Sequence, residues 1–203
     1  MSVGFEFWEQ KASAQVTDNE AIGGGGDKFV KLGLLEQQKD SLILDAACGY
    51  GRYSLPLAQE DKTVVAFDAS KSMTKRYKQN LAGKNLDVHL VCASITNMPF
   101  KNGAFPFAFC FASFYLLPKK CWKSGIEEFK RVSSCSIIEF RNILNFENLK
   151  RIVIFNVGKI LHKTFPDYHL SFHWKITFER TYLVKFSGKS HSVIVNTSIS
   201  RGR

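Results

Sequence analysis

The stretch that most constrains the fold is residues 42–52, which read LILDAACGYGR. Its apolar beginning predicts a strand covered on both faces. Gly49 and Gly51 predict a tight turn, because glycine takes positive φ readily and lets a ligand approach the main chain. A helix-like run, 53–59, follows, and its first turn would offer unpaired N–H groups to a polar ligand. This order of elements predicts an α/β fold with a ligand at the turn.

A second acidic residue follows the next apolar run. Residues 63–67, TVVAF, predict a strand, and Asp68 comes directly after it, 17 residues after Gly51. A carboxylate in this position can accept hydrogen bonds from both ribose hydroxyls of a nucleoside held by the glycine turn. The two stretches together predict a nucleoside-containing cofactor.

The stretches LDAACGYGR and VVAFDAS resemble motifs I and II of the class I S-adenosylmethionine-dependent methyltransferases, in their small-molecule, type 11-like branch. A later PF-x-x-x-x-F spacing at 99–105 strengthens the resemblance, which covers roughly residues 5–142. It implies S-adenosylmethionine as cofactor and a Rossmann-like three-layer α/β sandwich. In that fold a mostly parallel, seven-stranded sheet ends in a C-terminal antiparallel hairpin.

A dinucleotide-binding fold is the competing interpretation, since residues 49–54 are one residue short of G-x-G-x-x-G/A. Ser54 is larger than the third glycine of that motif, which permits close helix–strand packing. Asp45, at the mouth of the first strand, would repel a pyrophosphate and attract a sulfonium cofactor with a free ammonium group. A glycine turn with a purely structural role is the remaining alternative.

The resemblance implies cofactor contacts from several loops. Met73 is expected beneath the adenine, although core packing explains it equally well. Ser94 replaces the acid that usually accepts from the adenine amino group, and Pro106 replaces the Asp that usually opens the fourth strand. Both departures bear on cofactor affinity and activity. The cofactor-binding residues implied are Asp45, Ala47, Cys48, Gly49, Gly51, Arg52, Asp68, Ala69, Met73, Ser94, Ile95 and Cys110.

Apolar periodicity predicts the other elements. Strands are expected at about 41–46, 63–67, 87–91, 107–112 and 135–140, and helices at about 27–38, 52–60, 70–81, 119–132 and 146–161. The runs 176–186 and 192–199 are expected to form the closing hairpin. Residues 1–26 end in four glycines, which predict a flexible linker, and the resemblance implies that the segment before the linker is a lid. The methyltransferase-like domain is expected over 27–203, with a divergent part from about 143.

Composition limits the class of protein. A chain of 203 residues that is 45% apolar and 23% charged fits a soluble globular domain. The first ten residues do not read as a signal peptide, and the longest uncharged run, 102–118, is too short to span a membrane. The five cysteines are scattered without metal-ligand spacing, so no metal or disulfide framework is indicated and a cytoplasmic location is expected.

The positive charge is concentrated near the C-terminus. Residues 1–140 hold 17 Lys/Arg and 15 Asp/Glu, whereas residues 141–203 hold 11 and 3. Such a region can contact phosphates, so an RNA methyltransferase is an alternative to an enzyme with a small-molecule acceptor. A solvated basic surface is the simpler interpretation. A non-catalytic cofactor-binding homologue is the third alternative.

The implied chemistry is an SN2 displacement at a sulfonium. Such a reaction depends on alignment of nucleophile, methyl and sulfur more than on a general base. Candidate bases are Glu139, His162, His169 and His173, each expected to be structural or surface-exposed, so the sequence identifies no catalytic residue. Cys110 is expected to be a buried core cysteine, since no Pro-Cys pair is present.

Overall fold

The computed structural model describes residues 42–141 and 192–196. Six strands of this part form one sheet in the order β3-β2-β1-β4-β5-β6. The first five strands are parallel and β6 runs antiparallel to β5. The strands are β1 Leu42–Ala46, β2 Thr63–Asp68, β3 Val88–Cys92, β4 Phe105–Cys110, β5 Ser133–Arg141 and β6 Ser192–Asn196.

Three α-helices in the described residues cover the sheet, with two 3₁₀ turns before the last. On one face, the β1 residue Ile43 packs in a cluster with Leu55 and Tyr77 from the first two helices. On the other face, Leu44 packs in a cluster with Phe129 of the third helix. The helices are α1 Ser54–Gln59, α2 Lys71–Leu81 and α3 Trp122–Val132, and the 3₁₀ turns are Phe114–Leu116 and Lys119–Cys121.

This arrangement confirms the predicted Rossmann-like α/β fold with a mostly parallel sheet. Apart from Asp45, the residues of β1 are apolar, because helices cover both of its faces. One run of the expected hairpin forms β6, and its partner at 176–186 lies outside the described residues. The strand count of seven and the hairpin therefore stay predictions.

The fourth strand begins and ends two residues before its predicted position of 107–112. Pairing begins at Phe105, opposite Ser133, and the strand ends at Cys110. Ala112 cannot continue it, because its φ of +57° is left-handed. Pro106 is the second residue of this central strand, and neither neighbouring strand pairs with it in register. Its missing N–H is therefore tolerated.

Other predicted boundaries differ by a few residues. The predicted helix over 119–132 begins as a 3₁₀ turn and becomes α-helical at Trp122. Ser70 caps α2, its hydroxyl accepting the N–H of Met73 at 3.0 Å. The helices expected at 27–38 and 146–161, the lid segment and the three candidate histidines lie outside the described residues, so the predicted domain limits stay predictions. The described helices include none that is long and apolar enough to cross a membrane.

Candidate cofactor site

The turn between β1 and α1 lies at the carboxyl edge of the sheet. Ala47, Gly49 and Gly51 all have positive φ, at +58°, +56° and +92°. The N–H of Cys48 donates to the Phe67 carbonyl at 2.9 Å, and the N–H of Gly51 donates to the Cys48 carbonyl at 3.0 Å. These bonds fold the turn back against the end of β2.

The two glycines of the turn have different surroundings. A Cβ added at Gly49 would have no atom of the described residues within 4 Å, so this part of the turn is open to a ligand. A Cβ at Gly51 would lie 2.3 Å from Cε2 of Tyr77. Tyr77 is fully buried, and its hydroxyl donates to Ser54 Oγ at 2.7 Å. Close packing against Tyr77 therefore requires glycine at position 51.

Helix α2 holds the turn from one side. Asn80 donates from its side-chain amide to the Tyr50 carbonyl at 2.9 Å. The Arg76 guanidinium lies 5.8 Å from the centroid of the Tyr50 ring. Exposed Arg52 lies over the ring of its neighbour Tyr53 at the same distance. The site prediction did not include Asn80 or Tyr77, although their spacing of three residues places them on one helix face.

Asp68 connects the glycine turn to α2. Its Oδ2 accepts the N–H of Gly49 and its Oδ1 accepts the N–H of Ser70, both at 2.9 Å. A carboxylate oxygen can accept more than one hydrogen bond, so these contacts orient the group without exhausting its acceptor capacity. The structure thus brings the two predicted motifs together through one side chain.

Asp45 is the buried acid of the site. It is 1% exposed, and its Oδ2 has no hydrogen-bond partner among the described residues. Burial raises the pKa of this carboxyl to about 7; a hydrogen bond from Ser54 opposes the rise and the nearby Asp68 adds to it. A buried acceptor without a partner is costly, so this atom is a candidate contact for a ligand group.

The predicted adenine contacts come from the ends of β2 and β3. Ala69 is exposed, and its carbonyl accepts from the Cys92 thiol at 3.6 Å. Ser94 is also exposed, and its hydroxyl lies 2.9 Å from that of Thr96 and accepts the Thr96 N–H at 3.3 Å. Ile95 and Met73 are buried in the core. Their contacts with a cofactor stay predictions.

The segment after Ser94 is held by an ion pair on α3. Arg131 forms two bonds with Glu128, at 2.7 and 2.8 Å, and donates to the carbonyls of Met98 and Phe100 at 2.8 and 2.6 Å. Glu128 in turn accepts the N–H of Met98 at 2.6 Å. The side-chain hydrogen bond from Arg131 lowers the pKa of Glu128. Two side chains of α3 therefore hold the start of the PF-x-x-x-x-F stretch in place.

Both cysteines of the predicted site are buried. Burial raises the pKa of Cys48 and of Cys110 well above the ordinary value, and the negative charge of Asp45 raises both further. A neutral, buried thiol is a poor nucleophile, which confirms the prediction that Cys110 is a core cysteine. The described residues contain no group of three or more His, Cys, Asp or Glu that could hold a metal ion.

Among the candidate bases, Glu139 lies in β5 and is 1% exposed. Its Oε2 accepts the N–H of Ala112 at 2.6 Å, so this carboxylate contacts the loop that follows β4. The sequence contained a signal for such a role, because a carboxylate inside the apolar run of β5 needs a partner when buried.

Comparisons with known proteins agree with this geometry. Residues 43–134 match the family model described as a methyltransferase domain. An uncharacterized protein of Methanocaldococcus jannaschii is 30% identical over 129 residues, which are 63% of this chain and 52% of that protein. The 23S rRNA (uracil(1939)-C(5))-methyltransferase RlmD of Aliivibrio salmonicida is 43% identical over 53 residues, which are 26% of this chain and 12% of that enzyme.

Solved structures share the fold. The magnesium protoporphyrin IX methyltransferase of Synechocystis, solved with bound SAH, matches with a TM-score of 0.62 and 19% identity over 96% of this chain and 94% of that one. A SAM-dependent methyltransferase of Aquifex aeolicus matches with a TM-score of 0.61 and 18% identity over 93% and 96%. The family match shows that residues 43–134 are similar to a methyltransferase domain, and the solved structures show that these methyltransferases share the fold of this chain.

Proposed function

We propose that this domain binds S-adenosylmethionine across the carboxyl edge of its sheet and catalyses transfer of the methyl group to a small-molecule acceptor. The observation that carries the proposal is the buried Oδ2 of Asp45, which has no partner among the described residues. It lies at the end of the strand that leads into the glycine turn, where Gly49 leaves open space. A ligand ammonium group would supply the missing partner.

Each end of the cofactor has matching groups. Asp68, already oriented by Gly49 and Ser70, is placed to accept from the ribose hydroxyls. The adenine would then extend toward β3, where Ser94 and Ile95 follow the strand. Asp45 would face the ammonium group of the amino acid portion. When bound, the cofactor supplies an electrophilic methyl group on a positively charged sulfur.

The acid at the mouth of β1 also separates this proposal from dinucleotide binding. A pyrophosphate at the glycine turn would meet the charges of Asp45 and Asp68, which are close enough for Asp68 to raise the pKa of Asp45. Like charges in a poorly hydrated site repel strongly. A cationic ligand reverses the sign of both interactions.

The proposal of a small-molecule acceptor has modest support. A structural relative that spans nearly the whole chain is named for a small acceptor, magnesium protoporphyrin IX. The RNA-modifying relatives match over a short segment, which is 12% of the RlmD enzyme of Aliivibrio salmonicida. An RNA acceptor remains the second candidate, favoured by 11 Lys/Arg against 3 Asp/Glu in residues 141–203.

Calorimetry with S-adenosylmethionine, S-adenosylhomocysteine and NAD tests the cofactor. We expect both sulfur compounds to bind and NAD not to bind. Asp68→Asn should lower the affinity for S-adenosylhomocysteine at least tenfold, because a hydrogen bond to a charged group contributes about 1.5–3 kcal/mol. Asp61→Asn is the matched control, since it removes the same charge from an exposed turn at the opposite edge of the sheet. Equal affinities in the two variants, or binding of NAD, would contradict the proposal.

The acceptor is tested with methyl-labelled cofactor, incubated separately with a metabolite extract and with total RNA. Transfer of label to the metabolite fraction supports the proposal, and transfer to RNA promotes the second candidate. A gel-shift series from low to physiological salt measures RNA binding in parallel, because unspecific phosphate contacts weaken steeply with salt. Sequence-selective RNA binding that survives physiological salt would overturn the small-molecule assignment.

A further inference from the structure

The loop that leaves β4 is held by a carboxylate from β5. The final register pair of these strands is Cys110 with Ile138, so Glu139 lies one residue beyond it. Its Oε2 accepts the N–H of Ala112 at 2.6 Å. A side chain thus supplies a hydrogen bond where the main-chain ladder ends. The short distance is typical of a charge-assisted bond.

The bond fixes an unfavourable backbone conformation. Ala112 has a φ of +57°, a left-handed conformation that is unfavourable for a non-glycine residue. Such a conformation persists only where surrounding contacts determine it. Glu139 is buried, so water does not compete for its oxygen. Without this acceptor, the loop would lose a hydrogen bond that stabilises the conformation of Ala112.

The same loop contacts the glycine turn on its other side. The Ser113 hydroxyl donates to the Ala47 carbonyl at 3.4 Å. The Phe111 ring lies 5.3 Å from the Tyr53 ring, edge to face. Residues 111–113 therefore connect β5 to the turn that follows β1, and a displacement of this loop would change one wall of the site.

The order of the strands indicates which end of the cofactor this wall faces. Asp68 ends β2, and β3 lies beyond it on the side proposed for the adenine. β4 lies on the opposite side of β1, so the amino acid end of a bound cofactor, with its sulfonium methyl, would extend toward the loop after Cys110. We propose that Glu139 is a positioning residue that sets this loop against the methyl group by holding Ala112. The inference rests on the proposed cofactor.

The carboxylate also contributes charge near this place. The pKa of Cys110 is raised first by burial, then by Asp45, and then by Glu139. Attraction of a sulfonium by this charge is thus a second way in which the residue could act. Two conservative variants separate the two effects. Glu139→Gln keeps an acceptor oxygen and removes the charge, whereas Glu139→Asp keeps the charge on a side chain that is one methylene shorter.

The experiment measures amide hydrogen exchange at Ala112 and the affinities for S-adenosylmethionine and S-adenosylhomocysteine, which differ at the methyl group. For Glu139→Asp we expect exchange at Ala112 to accelerate at least tenfold and the affinity for S-adenosylmethionine to fall at least fivefold. The affinity for S-adenosylhomocysteine should stay within twofold. Glu139→Gln keeps a neutral and weaker acceptor, so it should change all three quantities less than Glu139→Asp does.

Glu128→Asp is the matched control, because Glu128 also accepts one backbone N–H at 2.6 Å, from Met98 on a different loop. It should leave the ratio of the two affinities unchanged. An unchanged ratio of the two affinities in Glu139→Asp would overturn positioning through Ala112. So would a Glu139→Gln variant that shows effects as large as those expected for Glu139→Asp. Failure of the wild-type protein to bind either compound would instead overturn the proposed function, and this inference with it.

Discussion

The contact between Gly51 and Tyr77 makes a sharp prediction about stability. Replacing Gly51 with Ala adds one methyl group, whose carbon would lie 2.3 Å from the Tyr77 ring. The ring is fully buried and its hydroxyl is bonded to Ser54, so it cannot swing aside without breaking that bond. We expect Gly51→Ala to be among the most destabilising single-methyl additions in this domain.

Three contributions set its magnitude. A φ of +92° costs an alanine about 1–2 kcal/mol. Overpacking a rigid core site costs about 1–3 kcal/mol. Alanine recovers about 0.4–1 kcal/mol, because it restricts the unfolded chain more than glycine does. The free energy of unfolding should therefore fall by about 1–4.5 kcal/mol.

Gly103→Ala is the matched control. Gly103 has a φ of +63°, and a Cβ there would meet no atom of the described residues within 4 Å. This variant should show the backbone cost without the clash, about 0–1.5 kcal/mol. Urea unfolding monitored by circular dichroism measures the free energy of unfolding of both variants. The two values are compared directly when the m-values are equal. If Gly51→Ala is no less stable than Gly103→Ala, the packing argument is wrong.

Three further substitutions test other parts of the site. Asp45→Asn should stabilise the cofactor-free protein by about 2–4 kcal/mol above pH 7 and weaken cofactor binding. The wild type loses stability as pH rises from 3.8 to about 7, because the unfolded chain releases the Asp45 proton before the folded protein does. The midpoint of urea unfolding, measured against pH, should show this loss in the wild type and lack it in Asp45→Asn. Arg131→Ala should cost about 2–3 kcal/mol in urea unfolding, against under about 0.5 kcal/mol for exposed Lys130→Ala. Ser94→Asp should tighten S-adenosylhomocysteine binding at least threefold in calorimetry, since a charge-assisted bond is about twice as strong as a neutral one; equal or weaker binding would show that this loop lies elsewhere.

Local sequence predicted the first half of the fold well. β1 and β2 were expected within one residue of where they lie, because an apolar run between turn residues has few alternative structures. Asp68 was expected to bind the ribose of a nucleoside held by the glycine turn, which stays a prediction, and its carboxylate accepts the N–H of Gly49 in that turn. The bounds of β1 and β2 depend on residues that are close in the chain. The contact between Asp68 and the glycine turn depends on the parallel pairing of these two strands.

Contacts between distant residues were not predictable in the same way. Tyr77, in α2, occupies the space that a Cβ at Gly51 would need. Glu139, in β5, accepts the N–H of Ala112 in the loop after β4. A sequence gives such residues as a buried aromatic and a buried acid without naming their partners. The early end of β4 has the same cause, since residues 111 and 112 are apolar but the loop they form is held by side chains outside the strand.

Asp45 of β1, whose Oδ2 has no partner among the described residues, is best explained by a need to bind a ligand. A buried carboxyl whose pKa is raised to about 7 weakens the protein at neutral pH, and an asparagine of nearly the same shape would avoid this. Conflicts between local stability and fold are expected where a site must receive a ligand. A bound ammonium group would offset the charge of Asp45 and give Oδ2 its partner, so the cofactor would stabilise the folded state by its binding free energy. The same acid that weakens the empty domain would therefore strengthen the occupied one, and a cationic ligand would produce that change of sign.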